Sequence, residues 1–172
     1  MIYIIMRRFI LIFVAYMCVM TFTAHANNGQ SLYEKGYQGY VDFSIGVHNP
    51  NNGIQVSLLT SHGYSTGFGL YTGLGTGLEW TPDYAGSYLS MPLFLDLKYS
   101  FLNSDFSPYV GMRTGLNLSF ENMRGGAYLA PSVGVDIKRH LSLFLEYDYQ
   151  TTSYDILRFK KHAFSVGVAI GF

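Results

Sequence analysis

Eight ionisable side chains in this 172-residue chain alternate with apolar or small residues along segments that are otherwise poor in charge. Five are carboxylates and three are cations, and their positions are Asp42, Asp96, Lys98, Arg113, Asp136, Lys138, Glu146 and Asp148. Carboxylates grouped in a low-dielectric space can transfer protons or carry cations. Charges of opposite sign in such a space are instead stabilised by pairing. Because both signs are present, we predict a paired interior network, with a catalytic or ion-conducting site as the alternative.

Serine and histidine offer a second kind of chemistry, because a histidine can activate a serine hydroxyl for attack on an ester. Ser153 and His162 flank one predicted loop, and His48 lies in another. No catalytic sequence signature surrounds them. We therefore do not expect an enzyme, although a serine–histidine pair acting on lipid stays open as an alternative.

Composition argues against several other kinds of site. Basic and acidic residues balance at 11 each, so nothing indicates nucleic-acid binding. The single cysteine is Cys18, which leaves neither a disulfide nor a cysteine-based metal site for the rest of the chain. We expect no cofactor and no metal.

The N-terminal segment has the three parts of a secretory signal peptide. Two arginines (7–8) precede a short apolar run over 9–20, and an Ala-x-Ala sequence ends at Ala26. Residues 1–26 are therefore predicted to be cleaved, which leaves 27–172 as one domain. An uncleaved N-terminal membrane helix is the alternative.

Strict alternation of large apolar and small residues marks the strands, most clearly at the C-terminus. There the apolar series is Phe164, Val166, Val168, Ile170 and Phe172. Seven similar segments precede it, over about 37–47, 54–62, 68–80, 88–101, 108–120, 127–138 and 141–150. Such lengths suit the roughly 9–11 residues of a tilted membrane-spanning strand. Charged residues are only 13% of the chain, against about 25% in average soluble domains. We predict an all-β fold, an eight-stranded antiparallel up-and-down transmembrane β-barrel.

Three details of this barrel can also be predicted. A hairpin register that joins 96 to 113 places Arg113 opposite Asp96 near mid-depth, inside a filled, non-conducting lumen. Pro92 and Pro131 each remove a ladder donor, so we expect a bulge or local irregularity at each. Longer loops over 81–87, 121–126 and 151–161 are expected at one end, and short turns at the other.

Four sequence fragments resemble those of the small outer-membrane β-barrel domain proteins of Gram-negative bacteria, loosely called the porin family and including barrels like OmpA and OmpX. They are residues 60–64 (TSHGY), 91–101 (MPLFLDLKYSF), 107–111 (SPYVG) and 167–172 (GVAIGF). The resemblance implies location in the outer membrane. It also implies insertion by an assembly machinery that reads the terminal aromatic strand, here Phe164 to Phe172.

The resemblance implies location and fold but no molecular activity. We therefore expect a structural or surface-interaction role, with outer-membrane lipid and lipopolysaccharide as partners and a monomeric state. Two alternatives stay open. One is a lipid A-modifying outer-membrane enzyme. The other is a soluble periplasmic ligand-binding barrel of the lipocalin kind, in which the apolar face would line the interior.

Overall fold

The computed structural model describes residues 35–49, 53–83, 86–120, 124–138, 140–154 and 157–172. They form a closed barrel of eight antiparallel strands in which each strand pairs with its neighbours in the chain, and β8 pairs with β1. The predicted fold class is confirmed. The strands are β1 Lys35–Asn49, β2 Gly53–Thr66, β3 Leu70–Asp83, β4 Gly86–Ser100, β5 Phe106–Ser119, β6 Arg124–Ile137, β7 Leu141–Tyr154 and β8 Leu157–Gly171. The signal peptide predicted over 1–26 lies outside the described residues.

Within these ranges, no helix is both long and apolar enough to span a membrane.

The register sets the tilt of the strands. A path of paired residues that leaves β1 at Gly36 returns to β1 at Gly46, ten residues further along. It passes through Ser65, Tyr71, Lys98, Gly111, Ser132, Glu146 and Ser165. With ordinary strand spacings, this offset around eight strands corresponds to a tilt of about 40° from the barrel axis. We call the edge where β1 begins and β8 ends the terminal end, and the opposite edge the loop end.

The two faces of the strands differ in polarity, as the alternation predicts. Large apolar side chains point away from the barrel, and Leu74 and Phe164 are each 71% exposed. Polar side chains point inward and are buried, including Asp42 and Ser61. Lys138 is an exception, because it is exposed in the turn after β6 with a φ of 57°. Its predicted place in the interior network is therefore wrong, since the left-handed turn carries its side chain outside.

The strands are longer than predicted at the loop end. β7 and β8 pair as far as Tyr154 and Leu157, through most of the segment expected to be a loop over 151–161. Few residues are left to connect the strands at either end, so the expected difference in loop length is not present. This segment includes the sequence Thr151-Thr152, and β-branched residues favour strands.

The two prolines interrupt the ladder without adding a residue. Pairing between β3 and β4 stops after Thr76–Leu93 and resumes at Glu79–Ser90, and Pro92 lies in the gap. The register is the same on both sides, so no bulge forms. Pro131 lies in an equivalent gap between β6 and β7. The predicted irregularity is thus a loss of pairing, as expected for a residue without a backbone donor.

Two phenylalanines fill the middle of the lumen because glycines flank them. Phe94 pairs with Gly75 on one side and Gly115 on the other. Phe144 is flanked in the same way by two glycines, Gly134 on β6 and Gly167 on β8. A Cβ on Gly75 would collide with the Phe94 ring, and one on Gly167 with the Phe144 ring. The inward glycines therefore make room for rings that support the charged centre.

Candidate functional site: the polar interior

The layer nearest the terminal end is built around one lysine. Lys98 Nζ donates to Asp136 Oδ1 at 2.6 Å and to Ser142 Oγ at 3.3 Å. Its ammonium also lies 4.5 Å from the ring centre of Tyr40 and 4.1 Å from that of Tyr109. One cation thus meets one carboxylate between two aromatic faces, which is a favourable arrangement for a desolvated charge.

The middle layer is built around Arg113. Its guanidinium donates from Nη1 to Glu146 Oε2 at 2.8 Å and from Nη2 to Asp42. Its Nε lies 3.7 Å from Asp96 Oδ1. The Phe94 and Phe144 ring centres are 5.4 Å and 5.7 Å from its Cζ. Three carboxylates from three strands therefore share one guanidinium.

The layer nearest the loop end consists mainly of amides and carboxylates. Gln150 Nε2 donates to Glu79 Oε2 at 2.5 Å, and Asn117 Nδ2 donates to Gln150 Oε1 at 2.6 Å. Gln55 Nε2 donates to Asp148 Oδ2 at 3.2 Å. These bonds join β2, β3, β5 and β7 across the lumen.

The structure places seven of the eight predicted network residues inside the barrel, all except Lys138. Six of these seven take part in ion pairs: Lys98 pairs with Asp136, and Arg113 pairs with Asp42, Asp96 and Glu146. Asp148 lies nearer the loop end, where it accepts hydrogen bonds from Gln55 and Ser165.

Sequence reasoning missed two charged residues of the interior, Glu79 and Lys161. Glu79 is buried, and Lys161 Nζ donates to Thr81 Oγ1 at 2.8 Å. The alternation that puts Leu78 outside could have found Glu79. Alternation does not reveal Lys161, because the polar composition of its segment predicts a loop.

Chemically, the three layers fill the lumen with side chains that already bond to one another. Within the described ranges, no three histidine, cysteine, aspartate or glutamate side chains converge as metal ligands. A path along the axis meets the Lys98 layer, then Arg113, then the Gln150–Glu79 bond. This arrangement suits a structural plug.

The outer face does not bring the suspected serine and histidine together. His162 pairs with Tyr149, and its Nδ1 is bonded to the Tyr147 hydroxyl at 2.5 Å. Ser153 lies four residues beyond Tyr149 on β7, so the backbone positions of Ser153 and His162 are about 13 Å apart along the strands. His48 is buried near the loop end of β1.

The predicted assembly segment forms the outer face of β8. Four of its apolar side chains point away from the barrel and are exposed, namely Phe164, Val166, Val168 and Ile170. The strand closes the barrel by pairing with both β1 and β7. Phe172 follows directly after its last residue, Gly171.

Comparison with solved structures shows which proteins share this fold. The outer membrane enzyme PagL superposes with a TM-score of 0.62 at 12% identity, covering 76% of this chain and 98% of PagL. Neisserial surface protein A gives 0.53 at 16% identity, covering 80% and 97%. The N-terminal β-barrel domain of Pseudomonas aeruginosa OprF gives 0.52 at 13% identity, covering 81% and 100%. No protein-family model and no curated protein matches the sequence. At these identities the likeness shows the fold, an eight-stranded barrel of the outer-membrane type.

Proposed function

We propose that the protein is an integral outer-membrane β-barrel with a plugged polar interior and a structural or surface-interaction role. The observation that carries this proposal is the reversed polarity of the barrel. Apolar side chains cover its outside, while ion pairs and amides fill its inside. A soluble lipocalin-like barrel needs the opposite arrangement, because its ligand cavity is apolar and its outside is hydrated.

The outer surface supports a lipid environment rather than water. A continuous apolar surface is costly in water, since its burial is worth about 25 cal/mol per Å². In a bilayer the same surface is an advantage. The closed ladder adds to this, because it leaves no unpaired strand edge to face hydrocarbon.

Export and assembly support the outer membrane as the destination. The predicted signal peptide would direct the chain across the inner membrane. The outer-membrane barrels that share its fold, and the exposed apolar face of β8, support insertion there. We propose that the inserted barrel is a monomer. Lipid and lipopolysaccharide would then surround the barrel wall.

Two measurements test this proposal. Cells that express the full chain should yield it in the outer-membrane fraction, with a mature N-terminus at Asn27 and heat-modifiable migration on gels. The purified barrel in planar bilayers should give no steady conductance. Recovery in the soluble periplasmic fraction would contradict the location, and stable open-channel currents would contradict the plug.

A lipid-modifying activity is the alternative, and a separate measurement addresses it. Lipid A from cells with and without the gene should have the same mass spectrum if the protein has no such activity. A reproducible mass difference restored by the wild-type gene would replace the structural role with an enzymatic one.

A further inference from the structure

A groove on the outside of the barrel crosses the place where β8 joins β1 and β7. Its volume is about 620 Å³, within the range of roughly 300–1,000 Å³ that small-molecule sites occupy. Residues of all three strands line it. The charged side chains of the lumen point to the opposite face of these strands, so the groove lies apart from the plug.

Two rows of paired residues form the floor of the groove. In the row nearer the loop end, which we call the polar row, His162 of β8 pairs with Asn49 of β1. Two residues closer to the terminal end, in the apolar row, Phe164 pairs with Val47. Phe164 and Val47 are 71% and 55% exposed. The groove therefore has a polar end and an apolar end.

Two tyrosines of β7 hold the imidazole of His162. The ring centre of His162 lies 5.9 Å from that of Tyr147 and 5.1 Å from that of Tyr149. The Tyr147 hydroxyl is bonded to Nδ1 of the imidazole. When that hydroxyl donates, a neutral imidazole carries its own proton on Nε2. The ring then presents an N–H donor on the side away from Tyr147.

A positive charge lies just beyond the polar row. Lys160 precedes His162 by two residues, so it is on the same face of β8 and about 7 Å nearer the loop end. Lys160 is exposed, whereas its neighbour Lys161 reaches Thr81 inside the lumen. An ammonium, an imidazole and the amide of Asn49 thus follow one another at the polar end of the groove.

The register gives the depth of the two rows. With the tilt described above, His162 lies at about the same height along the barrel axis as Trp80, an exposed aromatic side chain of β3. Tryptophan is enriched where a membrane protein meets the lipid headgroups. Below the apolar row, the wall continues with the exposed pair Ile45 and Val166. The groove therefore leads from headgroup depth into the apolar band.

We propose that this groove binds one phosphorylated glycolipid of the lipid A class. Its phosphate would accept hydrogen bonds from Lys160 and from Nε2 of His162, since phosphate oxygens favour charge-assisted bonds. One acyl chain would lie along Phe164 and Val47. A free phosphate would use the polar end alone, and the adjoining apolar row is the reason for a lipid. The site rests on the outer-membrane location proposed above, with the loop end facing the outer leaflet.

Native mass spectrometry of the purified, folded full barrel in detergent micelles tests the site with two probes. They are lipid A and lipid A from which both phosphates have been removed. Wild type should retain one lipid A per barrel and bind the phosphate-free probe about fivefold more weakly or worse. Lys160→Gln should weaken lipid A binding about fivefold. His162→Phe keeps an aromatic ring, removes the Nε2 donor and should change binding in the same direction.

A steric variant and a control complete the set. Val47→Trp should weaken lipid A binding, because the larger side chain fills the apolar row and leaves the polar groups unchanged. Lys35→Gln is the matched control, since Lys35 is exposed at the terminal end of β1 and its change should leave lipid A binding as in wild type. Heat-modifiable gel migration verifies that each variant is folded before the measurement.

The proposal is wrong if lipid A does not bind saturably, if the phosphate-free probe binds equally well, or if Lys160→Gln and Lys35→Gln have equal effects. Tighter retention of phosphatidylglycerol than of lipid A would also overturn it, because the occupant would then be a phospholipid. A barrel that is recovered from the outer membrane but shows no lipid selectivity would contradict this site alone. Recovery from the periplasm would instead contradict the proposed location.

Discussion

Arg113 lies directly opposite Asp96 in the β4–β5 register, yet its closest carboxylates come from more distant strands. Its Nε is 3.7 Å from Asp96, whereas Nη1 is 2.8 Å from Glu146 on β7. Nη2 bonds to Asp42 on β1, on the far side of the barrel. The guanidinium therefore ties three parts of the wall together through the centre of the lumen.

Replacing Arg113 should be strongly destabilising. Arg113→Met leaves three buried carboxylates without their cation, and breaking a buried pair in this way costs about 3–5 kcal/mol. Lys138→Met is the control, because Lys138 is exposed in a turn and its change should stay within about 0.5 kcal/mol. Urea unfolding from lipid vesicles, followed by the fluorescence of Trp80, measures both. Equal midpoints for the two variants would contradict the central role of Arg113.

Two equally exposed positions can test whether the cost of a charge on the outer face depends on its depth in the membrane. Leu145 and Phe106 are each 60% exposed, but Leu145 lies level with the Arg113 layer and Phe106 lies at the terminal edge. Leu145→Arg should cost about 2–4 kcal/mol in a bilayer, and Phe106→Arg about 0–1 kcal/mol. The same unfolding measurement in lipid compares them. A similar cost at both positions would show that the wall has no membrane-depth gradient.

Close packing of the strands predicts that alanine substitution has different effects on stability at two glycines. A Cβ at Gly115 would collide with the Leu93 carbonyl oxygen, while at Gly125 the nearest atom, Leu118 Cδ2, is 3.5 Å away. Gly115→Ala should therefore lower the free energy of unfolding by about 1–3 kcal/mol. Gly125→Ala should leave it nearly unchanged, and equal effects of the two changes in urea titrations would argue against the tight contact.

The terminal aromatic residue should matter for assembly in cells more than for stability. If the assembly machinery reads Phe172, then Phe172→Ala lowers the amount of heat-modifiable barrel in the outer membrane. The purified variant should still refold in vesicles as wild type does. Phe106→Ala removes an aromatic from another strand and serves as the control, and equal loss from both would exclude a specific terminal signal.

Local patterns determined the parts of this fold that sequence could predict. Alternation assigned Phe94 and Asp96 to the lumen, and the β4–β5 hairpin gave the Asp96–Arg113 register, which is confirmed. The partnership of Arg113 with Asp42 could not be read in this way, because it depends on how far the closed sheet is sheared. Lys138 was misplaced for a different reason, since a left-handed turn overrides the period of two.

The layer nearest the loop end was the least predictable part of the site. Glu79 follows the alternation, but it lies two residues beyond the last of the inward glycines that indicate its strand. Lys161 was hidden because polar strand tips have the composition of loops. Chemistry at the loop end thus depends on pairing between β7 and β8 that hydrophobic patterns do not report.

If the barrel lies in the outer membrane with its loop end outward, the length of its strands has a consequence for any molecule that approaches the cell surface. Fifteen residues tilted by about 40° rise about 37 Å along the axis, which exceeds the about 25 Å apolar height of such walls. The paired ends of β7 and β8 would extend beyond the lipid as a hydrogen-bonded hairpin and form part of the rim of the barrel. A visiting molecule would meet a preformed rim, so docking would require little loss of chain entropy. Recognition here would depend on the shape of that rim, and lengthening or trimming the hairpin would change its reach in steps of whole residue pairs.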